Sequence, residues 1–164
     1  MGRFGATFLA LVAGFFGLEL LPPVQRSIVM PWTEAVARAS AAVVTLFDAH
    51  VHAYGRLLVS TANGFAVSIE PGCNGVEAAI ILAAAMIAFR APLALKLAGI
   101  AGGIVAVQAL NVVRVVSLFY LGQWNRPAFE WAHLYAWQAL IMLDVLVVWL
   151  LWIQWVRRRE RAFA

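Results

Sequence analysis

Four long apolar runs leave this chain few places to fold other than a lipid bilayer. Residues 4–21, 74–89, 97–121 and 134–156 are almost uninterrupted hydrophobic stretches, near the length of about 20 residues at which a helix crosses the hydrocarbon core. Of the 164 residues, 64% are hydrophobic and 12% charged, with a mean hydropathy of +0.87. Soluble domains carry about 25% charged residues, so a cytosolic enzyme, a nucleic-acid-binding domain and a disordered segment are all excluded. The net charge of +4 is no sign of a nucleic-acid partner, because the cations do not gather on a soluble face. A single cysteine excludes an internal disulfide, a cysteine-rich zinc site and a two-cysteine redox relay. No cofactor is expected. His50 and His52 are two residues apart, a spacing that points side chains away from each other on a helix, so no metal is expected either.

The expected fold is an all-α integral membrane protein, one membrane domain over residues 1–164. It has about four transmembrane helices, an amphipathic helix and a short β-hairpin, the last two in an extracytoplasmic segment at about 22–73. The first run follows Arg3, carries Glu19 near its end and stops at Pro22-Pro23. No small-residue cleavage site follows it directly, so it reads as an uncleaved span. Arg3, Arg90, Lys96 and Arg157, Arg158, Arg159 and Arg161 all fall on one side of a four-span topology. That side is cytoplasmic by the positive-inside rule. Trp124, Trp131 and Trp137 then mark the outer interface, and Trp149, Trp152 and Trp155 the inner one.

Within the outer segment, Trp32, Val36, Ala39, Val43 and Leu46 recur at helical spacing, with Glu34 one turn before Arg38. This predicts an amphipathic helix lying on or dipping into the outer interface. Farther on, Asn63-Gly64 separates residues 56–60 from an alternating run, Phe65, Val67 and Ile69, the pattern of a hairpin. Its edge could bind an extended peptide as an added strand, making Phe65, Val67 and Ile69 candidate substrate-binding residues.

At about 1.5 Å per helical residue, Cys73 lies roughly 25 Å above Arg90. Arg114 lies roughly 27 Å above Lys96, and His133 tops a helix running roughly 36 Å down to Arg157. Three helices thus bring Cys73, Arg114 and His133 to one level. A thiol attacks as thiolate, which a helix N-terminus beyond Pro71-Gly72 and a nearby Arg114 both favour. Arg114 could also hold a developing oxyanion. His133 could accept the thiol proton and return one to a leaving amine. Asn74, Glu77 and Asn111 read as supporting residues. Glu77 would orient Arg114 or His133, or satisfy the interior, and Asn111 would hydrogen-bond Arg114. Asp144 and Gln108 have matching depths and are expected to meet as interhelical glue. Two other readings fit the same polar residues: a non-enzymatic membrane assembly subunit, and a small transporter using Arg114 and Asp144.

These segments resemble a known family. Pro71-Gly72-Cys73-Asn74-Gly75-Val76-Glu77-Ala78 is similar to the cysteine box of the exosortase/archaeosortase family. Asn111-Val112-Val113-Arg114 is similar to its arginine box, and His133 with Tyr135-Ala136-Trp137-Gln138 to its third box. The short chain and the Cys-Asn-Gly form look most like the exosortase H subgroup. The resemblance implies a bacterial inner-membrane cysteine protease/transpeptidase with Cys73, Arg114 and His133 as its triad and an active site facing the extracytoplasmic side. The implied substrates are secreted proteins with a C-terminal sorting signal: a short motif of the IPTLxxWG type, one transmembrane helix and a basic tail. The product would pass to a surface acceptor.

Overall fold

The computed structural model describes residues 2–162. Its elements are α1 (Gly2–Glu19), α2 (Pro22–Val24), α3 (Met30–Val44), β1 (Val51–Tyr54), β2 (Leu57–Ser60), β3 (Ala66–Ser68), α4 (Val76–Ala88), α5 (Leu93–Trp124), α6 (Arg126–Trp131) and α7 (Trp137–Ala162). Two π turns, Gln25–Val29 and Ala132–Ala136, join α2 to α3 and α6 to α7. The first stands just before Pro31, which removes an intrahelical donor and so disturbs the regular ladder.

Among the described residues, three helical segments are long and apolar enough to cross a membrane: Gly2–Glu19, Leu93–Trp124 and Arg126–Arg161. The run expected to span at 74–89 forms a helix of 13 residues, roughly 20 Å long. Its N-terminal residues are drawn into a turn, and Pro92 ends the extended segment after it. By contrast α5 has 32 residues, roughly 48 Å, far more than a bilayer core needs. Its surplus length builds a cap.

The described residues form two apolar cores, and α5 runs through both. In the bundle, Leu82 and Met86 of α4 and Val107 of α5 pack with Ile141, Val145, Ile153 and Val156 of α7. Trp152 also lies in this core, donating from Nε1 to Leu95 O at 3.0 Å. It is therefore a buried strut between α7 and the start of α5. In the cap, Val36, Ala37, Ala41 and Val44 of α3 pack with Val51, Leu58, Ile69, Val115 and Phe119.

Glu34 and Arg38 pair as their spacing predicts, 3.7 Å apart. The buried face of α3, however, is Thr33, Val36, Ala37, Ser40, Ala41 and Val44. Most of the apolar stripe seen in the sequence points away from the protein, with Val43 42% and Leu46 84% exposed. Small residues allow close helix packing while large apolar ones face outward, as in membrane helices.

The hairpin forms at the expected place and gains a strand. The sheet order is β1-β2-β3, antiparallel throughout, with Val67 opposite Leu58 and Ala66 opposite Val59. Ser60 N–H donates to Phe65 O, and Ile69 N–H to Arg56 O. Since alternate residues of an antiparallel strand direct both backbone groups to the same neighbour, Phe65, Val67 and Ile69 bond inward to β2. Ala66 and Ser68 face the open edge.

Candidate active site

The Pro71–Gly75 turn hangs between the two cores, and neighbouring side chains fix it from three directions. Gly72 N–H donates to Glu77 Oε1 at 2.6 Å. Asn74 Oδ1 accepts from Val76 N–H at 3.0 Å, which satisfies the first free N–H of α4. On the α3 side, Asn74 Nδ2 donates to Thr33 Oγ1 at 3.0 Å and Trp32 Nε1 to Asn74 O at 3.3 Å. Gly75 takes φ +75°, and a β-carbon there would run into the Gln108 side chain. Only glycine satisfies both conditions at that position.

This turn presents Cys73 to Arg114 and His133. Arg114 Nη2 lies 3.4 Å from Cys73 Sγ, and Nη1 donates to Gly72 O at 3.3 Å. His133 Nε2 lies 3.9 Å from the same sulfur. His133 projects from the π turn Ala132–Ala136, a wide turn of the kind often found at functional sites. The Phe129 ring stacks on it, with centroids 5.6 Å apart and planes at 2°. The three residues predicted to share one level therefore meet at one atom.

Arg114 is only 3% exposed. Among the described residues, the ion pairs are Glu34–Arg38, Arg56–Glu70 and Arg126–Glu130, so none of them neutralises this guanidinium. Burial pushes the Cys73 thiol up; Arg114 pulls it down, Glu77 and Glu70 push it up, and the net direction is upward. Arg114 thus favours the thiolate as expected, and burial outweighs it.

A cavity of about 150 Å³ opens beside the sulfur. Val67, Ile69, Val115, Leu118 and Phe129 supply its apolar wall, and Ser68, Glu70, Cys73, Arg114 and His133 complete it. Phe65 lies outside the lining and packs edge-on against Phe119 with ring centroids 5.6 Å apart.

Three supporting expectations change. Glu77 anchors Gly72, with no hydrogen bond to Arg114 or His133. Asn111 donates to Gln108 Oε1 at 3.4 Å and makes no hydrogen bond to Arg114. Gln108 turns toward Asn111 and Gly75 rather than to Asp144, whose Oδ2 is buried without a partner. Thr33 and Phe129 belong to the site's surroundings although neither stood out in the sequence. The only available signal was a polar residue beside the apolar stripe of α3 and an aromatic one turn before His133.

The chain matches the transmembrane exosortase family over residues 1–150. It belongs to that family. Among curated proteins and among solved structures it has no match. In this exosortase the thiol, guanidinium and imidazole contributed by three separated stretches of chain converge beside one apolar cavity.

Proposed function

We propose that this exosortase is a membrane cysteine protease/transpeptidase that cleaves C-terminal sorting signals of secreted proteins. The observation that carries the reading is a buried guanidinium, without a carboxylate in an ion pair, directed at the chain's one thiol with an imidazole on the same sulfur. As the substrate carbonyl arrives, His133 takes the Cys73 proton and the sulfur attacks the carbonyl carbon. Arg114 stabilises the oxyanion. Collapse breaks the C–N bond, and the leaving amine receives its proton from His133. The remaining thioester is resolved by an amine or other surface acceptor, or by water, which regenerates the thiol.

The length of α5 supports a site at the membrane surface. From Leu93 to Val113 is roughly 30 Å, the thickness of the hydrocarbon core, and this length favours a boundary position for Arg114. The charge asymmetry favours an extracytoplasmic site in the bacterial inner membrane, with the basic end inside. The resemblance to exosortase H favours an IPTLxxWG-type substrate. The test is a co-expressed reporter ending in that motif, an apolar helix and a basic tail. Mass analysis should find the upstream reporter fragment acylated on Cys73. Cys73→Ala should abolish both adduct and processing, and continued processing by that variant would sink the reading.

A further inference from the structure

The three-stranded sheet ends on an open edge beside the reactive sulfur. The pairing register turns the N–H and C=O groups of Ala66 and Ser68 away from β2. Among the described residues no hydrogen bond outside the sheet uses these groups. Such an edge is a template for another strand. This edge continues into Glu70, whose carbonyl accepts the Cys73 N–H at 2.9 Å, so a chain laid along it is led to the thiol. On the same side, Val67, Ile69, Val115, Leu118 and Phe129 line the cavity of about 150 Å³. An apolar cavity of about that size holds a benzene ring, the bulk of one hydrophobic side chain. An exposed edge strand invites uncontrolled pairing, and this one is only three residues long, enough to register a short segment.

From this juxtaposition we infer that the substrate binds as a fourth strand. It is an extended segment hydrogen-bonded to the backbone of Ala66 and Ser68, with one apolar side chain seated in the cavity beside Cys73. This deepens the cysteine acyl-transfer reading and rests on it for the identity of the substrate. The register also relocates the decisive position. Val67 N–H serves the internal ladder, so proline there would break the sheet. Ser68 N–H faces outward, where an edge strand tolerates proline.

Binding can be measured apart from chemistry in the full-length Cys73→Ala protein in detergent. The probes are the synthetic peptide IPTLAAWG and a series N-methylated at one non-proline residue at a time. Strand pairing requires losses at alternate residues only, each about tenfold. Adding Ser68→Pro should weaken the unmodified peptide by about the same factor. Ser68→Pro should keep the wild-type circular-dichroism spectrum and melting temperature in detergent, which shows an intact fold. Equal affinity across the methylated series would overturn the inference. So would absence of binding by the unmodified peptide, or undiminished binding to Ser68→Pro. If the alternation is found while Cys73→Ala cells still process the reporter, strand pairing stands and the cysteine reading falls.

Discussion

A guanidinium buried to 3% exposure without an ion-pairing carboxylate has lost most of its hydration, and what replaces that water defines the site. Arg114 uses its two terminal nitrogens on a carbonyl oxygen and a sulfur, a task that depends on a planar fork of donors. Arg114→Lys keeps the charge but cannot bridge both partners. It should lower processing of the reporter at least tenfold while the protein accumulates normally on immunoblots. Wild-type turnover would mean that a point charge is enough. The same geometry sets a pH dependence. Cys73 is held above the ordinary thiol range, mainly by burial, so its thiolate fraction increases as pH rises. Its iodoacetamide rate should climb through a midpoint above about 8.5, the unperturbed value. Arg114→Gln removes the one favourable charge and should move that midpoint higher still. A wild-type midpoint below 8 would contradict this account.

Among the elements, α4 shows how a helix can be defined by what precedes it. Its 13 residues start only after a turn whose polar groups are taken by Glu77, Asn74, Thr33 and Trp32. Gly75→Ala forces a left-handed conformation costing about 1–2 kcal/mol and displaces Gln108 as well. The melting temperature in detergent should fall, and Cys73 should alkylate at an altered rate because its loop has shifted. An unchanged melting temperature would show that the turn relaxes freely. Helix α3 carries a different lesson. Its period and its Glu34–Arg38 pair were readable from residue spacing, but its packed face was not. Size rather than hydrophobicity marks the packed side here, since the small residues Ala37, Ser40 and Ala41 allow the closer approach. In β3 the alternation identified the strand, yet only pairing with β2 revealed that Ala66 and Ser68 own the free edge.

Over the whole molecule, two cores meet at a polar layer. The bundle core lies on one side of Gln108, Asn111 and Arg114, and the cap core on the other. This separation predicts a division between stability and chemistry. Leu82→Ala deep in the bundle should cost about 2–5 kcal/mol, read as a lower melting temperature, with processing per folded molecule nearly unchanged. Leu118→Ala at the cavity wall should instead shift preference toward reporters with a bulkier apolar residue at the seated position. Comparable loss of turnover per folded molecule in both variants would show that the cores are not separable.

The apolar runs, the clustering of positive charge, the hairpin and the common level of Cys73, Arg114 and His133 were all legible without coordinates. Each follows from local spacing and the fixed rise of a helix. The depth of a residue, however, is only one coordinate of three. Rotation about each helix axis decided that Glu77 serves Gly72, that Asn111 and Gln108 meet each other instead of Arg114 and Asp144, and that Trp152 is buried. Tertiary packing alone brought Thr33 to the site, because its contact with Asn74 joins segments 41 residues apart. It also set the direction in which the thiol's acidity moves. The sequence determined which charged groups exist, whereas desolvation, which raises Cys73, arises only when the surrounding elements close around it.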